Sequence, residues 1–231
     1  MYWDPMYFVF ALPGLLLAMW AQSRVQGAYK RYLQVPNSTG ISGVQAAEQL
    51  LRAGGMGNVS IEGTQGELTD HYDPQSDTLR LSSGVANSRS VAAISIVAHE
   101  VGHAQQDKTQ YPLLRLRSGI VPIVQISSAL GPIVFFAGLV LQWSGLAWLG
   151  ILLFSAGAVF SLLTLPVEKD ASSRALQMLQ GTGLVSGGQE LAAAAKVLDA
   201  AAWTYVAAVV QTMSTLLYYV FVLMGSSRRR D

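Results

Sequence analysis

The sequence contains no cysteine, which excludes disulfide bridges and thiolate ligands in any metal site. Charged residues are scarce too: they make up 13% of the 231 residues, whereas a soluble domain carries about 25%. Hydrophobic residues make up 51%. Because a soluble protein needs a charged surface, this composition favours a chain that is partly solvated by a lipid bilayer. The formal net charge of +1 gives no sign of a nucleic-acid partner.

Four apolar stretches are long enough to cross a bilayer, which takes about 20 residues in a helix. They cover about residues 6–21, 120–143, 145–165 and 203–224. Trp3 and Trp20 flank the first stretch, as interfacial anchors do. A secretory signal peptide is the alternative there, but Asp4 stands where such peptides carry basic residues. We predict a mainly α membrane protein with about four transmembrane helices.

The spans divide the chain into five segments. These are an anchor at 1–23, a polar region at 24–119, a transmembrane hairpin at 120–165, a helical segment at 166–202, and a last transmembrane helix with a basic tail at 203–231. Four crossings place residues 24–119 and 166–202 on the same side. Most basic residues near the spans lie on that side, which favours a cytoplasmic orientation, although Arg228, Arg229 and Arg230 argue against it.

The polar region is predicted to form a small α+β subdomain. Helical spacing of apolar residues predicts a helix over Ser42–Ala53, and alternation predicts strands at Val59–Glu62 and Thr78–Ser82. Ser88 or Ser90 is expected to cap a further helix that runs to Gln106 and is apolar nearly all round. That last helix should therefore be buried, with Gln105, Gln106 and Asp107 as its solvated end.

The buried helix carries the run His99-Glu100-Val101-Gly102-His103. Two imidazoles four residues apart lie one turn apart on one helix face, so they can share a metal ion. Zinc accepts imidazole nitrogen, and Glu100 can reach a metal-bound water as a general base. The alternative, three satisfied core residues, asks an apolar helix to bury unpaired polar groups at a cost of several kcal/mol.

A catalytic zinc needs a third protein ligand and an open position. Without cysteine, the candidates are His71, a glutamate or an aspartate. Glu168 follows the third span on the same side as the motif, although position alone fits an interfacial charge equally well. His71 is either a polar turn residue or a group that stabilises an oxyanion.

Several motifs together resemble the YugP-like neutral zinc metallopeptidases of bacteria: H-E-V-G-H-A-Q-Q, L-T-D-H-Y-D-P, T-L-R-L-S and P-V-E-K-D-A-S-S-R-A-L. The resemblance implies a gluzincin-like site in which His99, His103 and Glu168 bind one zinc ion, as in HtpX-like and CAAX-processing membrane peptidases. Those relatives carry an aspartate four residues after the glutamate, whereas Ser172 holds that place here. Asp170 is then expected to orient a ligand histidine or to be the ligand itself.

The sequence predicts a multi-pass zinc metalloendopeptidase of the bacterial inner membrane, with Glu100 as general base. Its expected partners are the lipid bilayer and polypeptide substrates that are membrane-associated or unfolded; no oligomeric state is indicated. The strand at Thr78–Ser82 is either structural or an edge strand that aligns substrate. The alternative function is a non-enzymatic scaffold or sensor with a structural zinc site closed by His71 or Asp170. A transporter is disfavoured, because no span carries an ionisable residue near its middle.

Overall fold

A computed structural model describes residues 5–227. The helices are α1 Pro5–Leu33, α2 Gly43–Ala53, α3 Ser83–Ala86, α4 Val91–Lys108, α5 Pro112–Val140, α6 Ser144–Gly181 and α7 Gly188–Ser227. The strands are β1 Ser60–Thr64, β2 His71–Asp73 and β3 Thr78–Ser82. Trp3, Asp4 and the three arginines of the tail, which bear on the anchor and on orientation, lie outside the described residues.

Four of the helices, α1, α5, α6 and α7, are long and apolar enough to cross a membrane. They contain three of the four predicted stretches in full, and α5 ends at Val140, three residues before the predicted end of the second stretch. The prediction of a mainly α membrane protein with a small α+β part is confirmed. Each helix is longer than its apolar stretch. In particular, α6 continues through Pro166 into the segment after the third span, although proline removes one backbone hydrogen bond from a helix interior.

The chain divides into two compact units, and the first contains the segment through Ala21, Leu116–Leu165 and the segment from Thr204 onward. Within it, α5 and α6 form a hairpin whose backbones approach closely at glycines. A side chain at Gly138 would collide with the backbone of Ala147, and one at Gly150 would collide with Phe135. Small residues allow this kind of approach between membrane helices, where close van der Waals packing stabilises the pair.

The second unit consists of Gln22–Arg115 and Pro166–Trp203. Its sheet has the strand order β1-β3-β2, with β1 parallel and β2 antiparallel to β3. Arg80 on the central strand joins the two outer strands, because its guanidinium lies 2.8 Å from Asp73 and 3.2 Å from Glu62. The suggestion that Thr78–Ser82 is a substrate-aligning edge strand is wrong, since β3 is paired on both sides.

Helix α4 lies at the centre of this second unit. Its apolar residues pack in one core with Leu50 of α2, Leu79 of β3 and Leu179 of α6. Ser90 is the residue that caps it: the Ser90 hydroxyl accepts a hydrogen bond from the Ala93 N–H at 3.2 Å. Helix α4 therefore begins where the sequence predicts and presents a fixed face to both β2 and α6.

Candidate metal centre

Two imidazoles project side by side from the buried helix α4. His99 and His103 are one helical turn apart, and their ring centroids are 4.8 Å apart. Each side chain is 12% exposed. The apolar helix thus holds two mostly buried imidazoles that could bind one metal ion.

Glu168 of α6 faces both histidines. Its Oε2 lies 3.1 Å from His99 Nε2 and 3.4 Å from His103 Nε2, and the residue is 3% exposed. One ligand atom from each of the three residues lies within 4.8 Å of the others. The residues that the family resemblance implies as zinc ligands are therefore brought together, by a contact between residues 69 positions apart in the chain.

Glycine makes the approach of α6 to α4 possible. A Cβ on Gly102 would lie 2.6 Å from the carbonyl oxygen of Ala171, closer than real Cβ atoms come. Ala171 is fully buried, and it lies on the same face of α6 as Glu168 because the two are three residues apart. The glycine inside the motif therefore sets how near the Glu168 carboxylate comes to the imidazoles.

The three donors fit a zinc ion. In a tetrahedral shell with zinc–ligand distances near 2.0–2.1 Å, neighbouring ligand atoms are about 3.3 Å apart. The distances from the Glu168 oxygen to the two imidazole nitrogens are 3.1 and 3.4 Å. Two imidazole nitrogens and one carboxylate oxygen also form a donor set that zinc prefers, and it leaves a fourth position for water or substrate.

The nitrogens that face away from Glu168 have their own partners. His99 Nδ1 is 3.2 Å from the Ser172 hydroxyl, and His103 Nδ1 is 3.0 Å from Gln106 Oε1. Such contacts hold a metal-binding imidazole in place and leave Nε2 for the metal. The Ser172 hydroxyl is therefore the group that contacts His99 on the side away from Glu168.

Glu100 is on the neighbouring face of α4, toward the sheet. One of its carboxylate oxygens accepts a hydrogen bond from the Tyr72 backbone N–H at 3.0 Å, and the residue is 9% exposed. Burial raises the pKa of the Glu100 carboxyl above its ordinary value. A carboxyl with a raised pKa holds a proton more readily at neutral pH, as a general base must after it has taken one up.

His71 and Asp170 lie outside the three-residue metal cluster. His71 is exposed on β2, and its Nδ1–H donates to the Thr69 carbonyl at 2.8 Å. Asp170 accepts hydrogen bonds from Gln106 at 2.8 Å and from Arg174 at 2.6 Å. The Asp170 carboxylate is therefore held by these two side chains, and neither it nor His71 completes a fourth protein ligand within residues 5–227.

The prediction that Gln106 belongs to a solvated helix end is wrong, because Gln106 is 0% exposed. Asp107 is also engaged: its carboxylate lies 3.0 Å from the Tyr72 hydroxyl. A sequence signal for Gln106 does exist. It is three residues after His103 and seven after His99, so it continues the helix face that carries the imidazoles.

Comparison with known proteins bears on the class of protein and not on individual residues. The family model described as "Putative neutral zinc metallopeptidase" matches residues 7–224. The chain is 42% identical over 221 residues to the "Putative membrane protease YugP" of Bacillus subtilis (strain 168), covering 95% of this chain and 98% of that protein. No solved structure matches the chain. The resemblance drawn from the motifs is confirmed, and the relative and the four apolar helices together support membrane association.

Proposed function

This chain belongs to the neutral zinc metallopeptidase family, and from that premise we propose that it is a membrane-embedded zinc endopeptidase. The observation that carries the proposal is the cluster of His99, His103 and Glu168 with Glu100 beside it. A family name alone would not assign roles to residues. Here two of the proposed metal ligands and the proposed general base are on adjacent faces of one buried helix, and the third ligand, Glu168, faces them from α6.

When bound, a zinc ion would polarise the scissile carbonyl and lower the pKa of a water molecule. His99, His103 and Glu168 would hold the ion, and Glu100 would take the proton from the attacking water. The raised pKa of the Glu100 carboxyl makes it a stronger base toward that proton, which it would then pass to the leaving amine. The Tyr72 N–H fixes one carboxylate oxygen of Glu100 and leaves the other for the water.

Strand β2 pairs with β3 on one side, and on its other side the Tyr72 N–H donates to Glu100. That donor is therefore not available to the backbone of an extended peptide. Strand β2 positions the proposed general base, and the alignment role considered for Thr78–Ser82 is not transferred to it.

The substrates we propose are membrane-associated or unfolded polypeptides, cleaved on the cytoplasmic side of a bacterial inner membrane. Glu168 follows Leu165, the end of the predicted third span, by three residues, which is a rise of about 4.5 Å in a helix. A site so close in sequence to a span favours substrates that reach the bilayer surface. The excess of basic residues flanking the spans on this side supports the cytoplasmic orientation.

The donor set argues against the scaffold or sensor alternative. A structural zinc site is closed by four protein ligands, whereas the cluster within residues 5–227 has three. A structural site would also have no use for a buried carboxylate with a raised pKa next to the ligands. The three-ligand arrangement is that of catalytic zinc sites.

The test compares zinc content and cleavage of an unfolded protein by the full chain in detergent. Wild type should bind about one zinc ion per chain and cleave. Glu100→Gln should keep the zinc and lose at least about 10²-fold in cleavage rate, because it cannot accept a proton. Glu168→Ala should lose both zinc and cleavage. A chelator should abolish cleavage by wild type, and added zinc should restore it.

Glu67→Gln serves as the matched control, since it makes the same chemical change at an exposed glutamate. It should behave as wild type in both measurements. Undiminished cleavage by Glu100→Gln would exclude the proposed mechanism. Full zinc content in Glu168→Ala would exclude the proposed ligand set.

A further inference from the structure

The side-chain amide of Gln106 is buried, and each of its polar atoms has a partner. Its Nε2 donates to the Val167 carbonyl and to Asp170 Oδ2, both at 2.8 Å. Its Oε1 is 3.0 Å from His103 Nδ1. Because a carbonyl and a carboxylate can only accept, the amide nitrogen must face them. The atom that Gln106 presents to His103 is therefore its oxygen.

This orientation decides which nitrogen of His103 carries hydrogen. The Gln106 oxygen only accepts, so the hydrogen bond requires the hydrogen on His103 Nδ1. In neutral imidazole the other nitrogen, Nε2, then carries the lone pair. Nε2 is the atom that lies 3.4 Å from Glu168 Oε2. Gln106 thus leaves the metal-facing nitrogen of His103 ready to bind.

His99 differs from His103 in this respect. Its Nδ1 is 3.2 Å from the Ser172 hydroxyl, and a hydroxyl can donate as well as accept. Ser172 alone therefore does not determine where the hydrogen of His99 lies. The partner of His103 can only accept a hydrogen bond, whereas the partner of His99 can donate or accept one. Of the two, only Gln106 therefore determines the tautomer of its histidine.

The amide of Gln106 is in turn held from α6. Asp170 Oδ2, which accepts from Gln106, also accepts from Arg174 Nε at 2.6 Å. The Arg174 guanidinium lies over the Tyr111 ring, 5.7 Å from its centroid. These contacts form a chain from Arg174 through Asp170 and Gln106 to His103, which meets the histidine on the opposite side of the ring from Glu168.

We infer that Gln106 is a positioning residue for His103, which fixes the orientation of the imidazole and its hydrogen, and that Asp170 and Arg174 hold Gln106 in turn. The inference rests on the zinc site of the proposed function. It gives Asp170 a role that acts through Gln106, whereas the sequence analysis placed Asp170 next to a histidine or on the metal itself.

The first test measures zinc affinity of the full chain in detergent, by competition with a chelator. Gln106→Leu should weaken zinc binding about 10–100-fold, the usual cost of removing a partner of a metal-binding histidine. Asp170→Asn, which keeps an acceptor for the amide but loses the charge, should weaken it less. Gln177→Leu is the matched control, because Gln177 is exposed and contacts Ser173 outside this chain of contacts. It should bind zinc like wild type.

The second test separates orientation of the ring from general packing. The chain has three histidines, so NMR of nitrogen-labelled histidine in the metal-free protein can resolve His103. Wild type should carry a hydrogen on Nδ1, whereas in Gln106→Leu the hydrogen should shift to Nε2, which faces the Glu168 carboxylate. The double variant Gln106→Glu with Asp170→Asn gives His103 an oxygen again and places a donor beside it, but its second oxygen faces the Val167 carbonyl that Gln106 bonded. It should recover the Nδ1–H signal and only part of the zinc affinity.

The inference is overturned if Gln106→Leu binds zinc like wild type, or if its affinity falls while the tautomer stays unchanged. It is also overturned if Gln106→Leu and the double variant, both shown to be folded by their melting temperatures without metal, lose the Nδ1–H signal to the same extent. Failure of the proposed function looks different. Zinc binding without cleavage would leave the role of Gln106 intact, because neither readout depends on activity.

Discussion

Gly102 occupies a position that the H-E-x-x-H pattern leaves open, yet in this chain hydrogen is the side chain that the packing allows. A Cβ there would lie 2.6 Å from the Ala171 carbonyl oxygen and 3.2 Å from its carbonyl carbon. Both neighbours are backbone atoms of a buried helix, so they cannot move aside by a change of rotamer. A methyl group at position 102 must push α6 away from α4.

Gly102→Ala should therefore lower both stability and zinc affinity. Overpacking of this kind costs about 1–3 kcal/mol. The displacement also moves the Glu168 oxygen away from the imidazoles, so zinc should bind at least several-fold more weakly. Melting temperature without metal and the zinc dissociation constant, both measured in detergent, check the two expectations separately.

Gly27→Ala is the matched control, since Gly27 is also helical and has nothing within 4 Å of the position its Cβ would take. Alanine is the better helix former, so this variant should be as stable as wild type or more stable by about 0.5–1 kcal/mol. Wild-type zinc affinity and stability in Gly102→Ala would show that α6 can shift freely and that the glycine is not needed for the site.

At the residue scale, the motif was sufficient to predict His99, Glu100 and His103 as a group, because their spacing on a helix follows from helix geometry. Glu168 required the family resemblance. Position alone could not separate it from an interfacial charge, since its contact with the histidines joins distant parts of the chain. Gln106 was predicted to be exposed because its side chain is polar. It lies on the same helix face as the imidazoles, however, and that position indicates a buried side chain.

At the scale of elements, β2 is a short strand of three residues that lies against α4 through a specific anchor. The Tyr72 hydroxyl is 2.9 Å from Asp77 in the turn after the strand and 3.0 Å from Asp107 near the end of α4. Burial, together with these two carboxylates, raises the pKa of Tyr72, so the phenol keeps its hydrogen. The same residue donates its backbone N–H to Glu100.

Tyr72→Phe should loosen β2 from α4 without removing a metal ligand. A hydrogen bond to a charged group contributes about 1.5–3 kcal/mol, so stability should fall within that range. Zinc content should be unchanged, whereas cleavage should slow, because the backbone N–H of residue 72 would no longer hold the Glu100 carboxylate in a fixed position. Steady-state cleavage, metal content and thermal unfolding measure these three effects.

Tyr111→Phe provides the comparison for Tyr72→Phe, because it removes a hydroxyl but keeps the ring beneath Arg174. It should cleave like wild type. If Tyr72→Phe also cleaves at the wild-type rate, the phenol does not hold the strand in a way that matters to the proposed reaction. A loss of zinc in Tyr72→Phe would instead show damage that extends to the ligands.

The sequence predicts which segments are helices and which are strands better than it predicts how these elements are arranged. The capped helix after Ser90 and the strand at Thr78–Ser82 appear as expected, because caps and alternation are local signals. Strand order is not local. Placing β3 between β1 and β2 depends on pairings that a run of apolar alternation does not encode, and so the edge next to Glu100 could be identified only from the structure.

For the whole molecule, the order of spans and polar segments predicts on which side of the membrane each polar segment lies. Four crossings require residues 24–119 and 166–202 to share one side of the membrane, and they place the turn between α5 and α6 on the other. That shared side is also a condition for the zinc site, because His99 and Glu168 come from the two segments. The absence of cysteine from the natural sequence makes the arrangement directly measurable.

Single cysteines should report these sides in intact cells through a maleimide that cannot cross the membrane. Ser144→Cys, at the exposed start of α6, should be labelled from outside. Ser60→Cys and Ser186→Cys, exposed positions in the two polar segments, should be labelled only after the cells are permeabilised. The reverse pattern would keep four crossings but turn the proposed active site outward. Labelling of Ser60→Cys and Ser186→Cys from opposite sides would contradict the four-span topology, because a chain so threaded could not bring Glu168 to the histidines.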